Sequence, residues 1–209
     1  VPQGAAIRDV AGKWITPGFI DVHDHFGEVR RGVLDFDDWG LRATFAYGVT
    51  TALDPSTLSI DMLAYQDALD AGMMTGPRLY STATAVFSYN EIGSLQEARD
   101  VVSRYVDHYR TRNLKEYRTG SRRVRQWVAM AAAEMGSMPT TEGALSMKLD
   151  LTQIIDGYAG NEHALVASPL QADVLRLMDF TRTSYTTTLN ITNGGPSGDL
   201  YIFLSLAEH

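Results

Sequence analysis

The chain has 209 residues, of which 44% are apolar and 21% charged, with a net charge of −7. That is the composition of a soluble globular protein with one core, and its acidity argues against nucleic acid or anionic membrane as partners. Cysteine is absent, which excludes disulfides and thiolate metal sites, and no apolar run approaches the roughly 20 residues needed to span a bilayer.

Residues 1–13 are small and polar and are expected to form an arm ahead of one domain over residues 14–209. No basic-then-apolar leader opens the chain, and Val1 is read as falling inside a domain, so the compartment stays open between cytoplasm and periplasm. Residues 14–25 read as strand one: a Pro-Gly turn, the apolar run Phe19, Ile20 and Val22, then His23 and His25. Side chains two apart in a strand share a face, so both imidazoles leave one side of its carboxyl end. Neutral imidazole is the commonest metal ligand, although such a pair also occurs as ordinary hydrogen-bonded histidines. Asp21 and Asp24 flank it as acceptors that would fix the tautomer.

Residues 27–32 form a loop that brings Arg30 and Arg31 near the mouth of the site. Residues 35–47 have helical spacing, with Leu34, Trp39, Leu41 and Phe45 as the inner stripe. The β-branched run 48–54, stopped by Pro55, is strand two, and the helix over 59–71 ends at Gly72. Strand three covers 77–82, and an aromatic, polar loop covers 83–93. Ser94 caps a helix running to about Arg110, with Glu97 completing a capping box. Residues 113–117 are strand four, 121–135 a helix, 138–142 strand five, 149–155 a helix, and 157–163 reach the end of strand six. Pro169 starts a helix to residue 180, and 185–192 read as strand seven.

Strand and helix alternate about seven times with short links, which predicts a parallel α/β fold of the (β/α)8 TIM-barrel type rather than a doubly wound sheet. A full barrel takes about 250 residues, so the barrel is expected to be incomplete, its eighth strand and helix missing. No G-x-G-x-x-G follows strand one, against a nucleotide binder.

Barrel chemistry sits at the carboxyl ends of strands. Those ends present His23, His25, Lys115, Glu142 and His163, a donor set suited to zinc or a similar divalent ion. Each has a competing structural reading. Lys115, one of three lysines, is a cation that could pair with Glu116 or Glu142; Glu142 could pair with Arg122 or Arg123, and His163 could be a hydrogen-bonded barrel histidine. The Arg118, Arg122, Arg123 and Arg125 cluster is mostly a solvated helix face, with Arg118 or Arg122 as candidates to grip a substrate carboxylate. Tyr117 either contacts a substrate carbonyl or packs. His108 reads as surface, and residues 194–198 read as a turn, since they lack the lysine of a phosphate loop. A metal in such a site lowers the pKa of water to about 7 and polarises a carbonyl, while a carboxylate moves the proton.

The stretch PGFIDVHDH over 17–25 resembles the strand-one signature of the amidohydrolase superfamily, P-G-F-I-D-x-H-x-H. Residues 7–15 are similar to the family's lead-in from a small β-sandwich, which makes 1–13 a remnant of that domain. TTEG at 140–143, DGYAGNEHAL at 156–165, RTGSRRVRQW at 118–127, Gly76-Pro-Arg78 and residues 192–198 resemble the imidazolonepropionase-like subgroup found with TolB or tricorn-type propellers. The resemblance implies hydrolysis of a C–N bond in a cyclic amide, N-acyl amino acid or small peptide, with one or two divalent ions, zinc foremost. It implies that Lys115 is carboxylated and bridges the metals, that Lys115 and His163 act in catalysis, and that Glu142 stands where a histidine is commoner. It also calls for an aspartate ending strand eight as the base, and after Thr192 the acids are Asp199 and Glu208, neither at the end of an apolar strand. The alternative is therefore an inactive barrel fragment or binding module that keeps the ligands. Open strand edges would favour a homo-oligomer.

Overall fold

Short strands that each feed a helix bury both faces of their sheet. The computed structural model describes residues 2–26, 34–57, 60–143, 146–167 and 169–188 of such a chain. The expected Arg30 and Arg31 loop, the end of strand seven, residues 192–198, Asp199, Glu208 and His209 lie outside the described residues.

The strands are β1 (Phe19–Asp21), β2 (Val49–Asp54), β3 (Arg78–Ser81), β4 (Asn113–Glu116), β5 (Met138–Thr141), β6 (Gly160–Glu162) and β7 (Ser184–Thr186). The helices between them are α1 (Trp39–Ala46), α2 (Asp61–Asp70), α3 (Leu95–Ser103), α4 (Arg122–Glu134), α5 (Met147–Ile155) and α6 (Ala172–Thr181). All pairings are parallel and follow chain order, β1-β2-β3 in one sheet and β4-β5-β6-β7 in the other. Past β3, Val86 bridges to Glu116: its N–H donates to the Lys115 carbonyl (2.8 Å), and its own carbonyl accepts from Tyr117 N–H (3.0 Å). Among the described residues β1 and β7 do not pair, so the sheets are not closed into a ring.

Period-two alternation decides which residues reach the inside. On β4, Leu114 faces the helices and packs with Ala98, Val102, Val128 and Ala132 of α3 and α4. Lys115 therefore points the opposite way, and Glu116 returns to the helix side, where it accepts from Thr141 Oγ1 and Gln153 Nε2. The alternative pairing of Lys115 with its neighbour Glu116 is excluded by this geometry. Gly160 is needed where β6 runs between its neighbours, since a Cβ there would collide with Ser184 Oγ and come within 2.9 Å of Thr140 Cγ2.

Three expectations change. Strand one is three residues long rather than spanning 14–25, and Phe19 and Ile20 are exposed (66% and 67%) instead of buried, because among the described residues β1 has a hydrogen-bonded neighbour on one side only. In α1 the expected stripe reduces to Leu41; Trp39 and Phe45 face outward, since the helix begins at the Asp38 cap, whose side chain accepts from Leu41 N–H. The Ser94 hydroxyl accepts from Glu97 N–H at 3.1 Å as expected, but the Glu97 carboxylate accepts from Gly93 N–H, one residue before the cap, instead of from Ser94 N–H.

Candidate metal centre

His23 is almost fully buried just past β1. Its Nδ1 lies 2.7 Å from Glu162 Oε2 at the end of β6, and its Nε2 is buried with no hydrogen-bond partner among the described residues. A carboxylate on Nδ1 holds the proton there and leaves Nε2 as a bare lone pair, the form a metal ligand requires. The His163 ring stands 4.9 Å from the His23 ring. Its backbone sits in the left-handed region (φ 68°), a costly conformation for a non-glycine residue, and it places Nε2 2.8 Å from Glu142 Oε2. Thr188 Oγ1 bonds its Nδ1. One ligand atom each from His23, Glu142 and His163 lie within 4.8 Å of one another, close enough to share one ion.

Lys115 and His25 border this trio. Lys115 is 1% exposed, and its Nζ lies 3.2 Å from Glu142 Oε2. The buried amine is ion-paired with Glu142 and has no other partner among the described residues. The His25 ring meets the His23 ring edge-on at 5.0 Å, and its Nδ1 is 3.2 Å from Asp54 Oδ1 at the end of β2. The acceptors that orient the two histidines are thus Glu162 and Asp54. Asp21 instead accepts from the His23 backbone N–H.

The carboxylates respond to these neighbours. Burial pushes Glu142 up, but the His163 hydrogen bond and the charges of Lys115 and His163 outweigh it and hold the group down at about 2. Burial likewise opposes Glu162, and the His23 bond with the Lys115 charge brings it below its ordinary range. Asp150 on α5 behaves in the opposite way: burial raises it to about 6, the Gly143 N–H bond offsets part of this, and the Glu142 charge adds to it.

The remaining candidates divide. Tyr117 stands beside the cluster in a pocket of about 190 Å³ shared with His25, Lys115 and Glu142. Arg118 is exposed and does not line that pocket. Arg122 forks onto Asp156 at 2.7 and 2.8 Å, which leaves its guanidinium engaged away from the histidines and removes it as Glu142's partner. Asp54 and Glu162 were not singled out from the sequence. The strand-end rule, applied to strand two, selects Asp54.

No protein-family model matches the chain. A stretch of 93 residues, 44% of the chain, is 38% identical to an uncharacterized protein of Mycobacterium tuberculosis, of which it spans 13%. In fold, the chain is similar to the crystal structure of a Xaa-Pro dipeptidase with methionine bound in its active site, with a TM-score of 0.64, 16% identity, and coverage of 81% of this chain and 52% of that one. It is also similar to phenylurea hydrolase B, with a TM-score of 0.64, 19% identity, and coverage of 88% and 56%. The chain spans about half the length of these two structures. They share its α/β fold of parallel strands. Among the described residues no helix is long and apolar enough to cross a membrane.

Proposed function

We propose that this chain is the metal-holding part of an amidohydrolase-type hydrolase that cleaves a C–N bond in an amide, cyclic amide or small peptide. Two observations carry the reading: ligand atoms of His23, Glu142 and His163 lie within 4.8 Å of one another, and the buried Nε2 of His23 has no hydrogen-bond partner among the described residues. A bare imidazole nitrogen, a carboxylate held ionised and a second imidazole fit a divalent cation, zinc foremost. Such a cation supplies Lewis acidity, bringing the pKa of water to about 7 and polarising a carbonyl.

The chain's own groups do the rest. Glu162 and Asp54 fix the rings of His23 and His25. Glu142 stays ionised at any physiological pH and draws His163 and Lys115 toward one point. In this reading the Lys115 ammonium gives up a proton to solvent, and the free amine adds CO2 and releases a second proton, leaving an anionic carbamate with two oxygen donors; its buried Nζ, paired only with Glu142 among the described residues, supports that role. The activities of the dipeptidase and the urea hydrolase, two structures of the same fold, support the reaction class.

A second reading keeps the metal and drops the hydrolysis. Elemental analysis together with a panel of dipeptides and hydantoins, assayed with and without zinc, separates the two. The hydrolase reading expects one or two bound ions and zinc-dependent turnover that His163→Ala abolishes. Bound metal without turnover leaves the second reading. A chain that binds no divalent ion overturns both.

A further inference from the structure

We propose that α5 positions Glu142: Asp150 and Gln153, three residues apart on one buried face of that helix, hold the backbone on either side of this ligand. The proposal deepens the hydrolase reading above and rests on its metal centre. Glu142 stands between Thr141 and Gly143, and both neighbours are bonded to α5. The Gln153 side-chain amide donates to Thr141 Oγ1 at 2.7 Å and to Glu116 Oε2 at 2.5 Å. Thr141 Oγ1 donates to the same Glu116 oxygen at 2.8 Å, so the three side chains close a triangle. On the other side, the Asp150 carboxylate accepts from Gly143 N–H. It presses so close to the Gly143 backbone that a Cβ there would overlap its oxygens.

Strand pairing alone does not fix Glu142. The β4–β5 ladder runs from the pair Asn113 and Met138 to the pair Glu116 and Thr141, and Glu142 is the next residue. Past the last rung the backbone keeps its direction only where something else holds it, and the two α5 bonds flank that point. A metal centre needs its groups held to within about 0.5 Å. Glu142 Oε2 lies 2.8 Å from His163 Nε2, so a small swing of its backbone would carry the oxygen out of the trio.

Stability does not account for polar groups in this layer. Asp150 is 4% exposed, and Gln153, Thr141 and Glu116 are fully buried. Gln153 Oε1 is buried without a hydrogen-bond partner among the described residues, which costs free energy. Two residues earlier on the same face of β4, Leu114 packs on apolar side chains of α3 and α4 and avoids such a cost. What a buried hydrogen-bonded network adds is a single arrangement, where apolar contacts would tolerate several. A ligand just beyond a strand end requires that uniqueness.

The test compares Asp150→Ala, Asp150→Asn and Gln153→Met with Ile154→Val, a control on the same helix that packs with Leu165, Val174 and Met178 outside the network. Zinc affinity is read by chelator competition, coordination by the absorption spectrum of the cobalt-loaded chain, and the place of Glu142 by crystal structures of the metal-free chains. Asp150→Ala and Gln153→Met are each expected to weaken zinc about 10- to 100-fold and to change the cobalt spectrum. In the metal-free structures of both, Glu142 is expected to lose its hydrogen bond with His163. Asp150→Asn keeps an acceptor for Gly143 N–H and is expected to hold the parent's affinity and the parent's Glu142. Ile154→Val is expected to lower the denaturation midpoint and leave zinc affinity unchanged. A folded Asp150→Ala or Gln153→Met with an unmoved Glu142 and the parent's zinc affinity overturns the assignment. So does a control that loses affinity in step with stability, which would make α5 a support for the fold only. Should Asp150→Ala not fold, Gln153→Met carries the same decision. A parent that binds no zinc sinks the metal centre, and the metal-free structures still decide whether α5 places Glu142. Zinc bound alike by the parent and every folded variant leaves the metal centre standing and removes the positioning role.

Discussion

His23 can offer Nε2 to a cation only while its proton sits on Nδ1, and Glu162, 2.7 Å away, keeps it there. Glu162→Gln leaves a side chain of the same shape that can present its N–H to Nδ1 and reverse the tautomer. Zinc affinity is expected to fall about 10- to 100-fold, read by chelator competition, with the circular dichroism spectrum unchanged. Unaltered affinity would remove Glu162 from the site. Asp150 gives a pH signature. Its folded-state pKa is raised to about 6 from 3.8, so its ionisation opposes folding. The stability is fully present below the unfolded value and is lost as pH rises through about 6. Asp150→Asn keeps an acceptor for Gly143 N–H, and it should exceed the parent's stability above pH 6 by at most about 3 kcal/mol, with the gap closing toward pH 4. Denaturant titrations across that range check it; a gap independent of pH counts against the burial argument. Residue spacing brought His23 and His25 forward as a pair, and their rings do meet at 5.0 Å although both lie past the end of β1; Lys115 came forward as the polar residue closing strand four. Spacing could not show Glu162 and Asp54 as acceptors, because these partners lie 139 and 29 residues from their histidines and meet them only through the fold.

At the scale of elements, local chemistry was legible wherever it was self-contained. Ser94 and Glu97 announce a helix start because both residues of the pattern lie within one turn. The reach of β1 was not legible. An apolar run from Trp14 becomes a strand only where a neighbour supplies hydrogen bonds, and β2 does so from Val49 onward, opposite Phe19. The edges of α1 were misjudged for a related reason: helical spacing marks a face but not what covers it. The close approach of β5, β6 and β7 yields a prediction. Gly160→Ala must displace Ser184 or Thr140, two short side chains with little freedom to move, and should cost about 1–3 kcal/mol. A lower denaturation midpoint with an unchanged m-value is the expected result; an unaffected midpoint would mean that the strands separate without cost.

Across the whole molecule, the strand order was readable from the alternation of strand and helix, and so was an open rather than closed ring; the break in strand pairing between β3 and β4 was not, because it leaves no local mark in the sequence. Among the described residues the result is two parallel sheets, bridged by the backbone of Val86, by the Thr111 hydroxyl donating to the Ser81 carbonyl and by the His23–Glu162 pair. His23 and His25 belong to one side of that seam, and Lys115, Glu142 and His163 to the other. An ion gripped by both would act as a staple, coupling ligand affinity to how rarely the halves part. Amide exchange at Val86 and Tyr117 should therefore slow by tenfold or more when saturating zinc is added, and exchange that ignores a stoichiometrically bound ion would show the halves to be rigid without it. The strength of the metal site and the mechanical integrity of the fold would then be one quantity, measured from two ends.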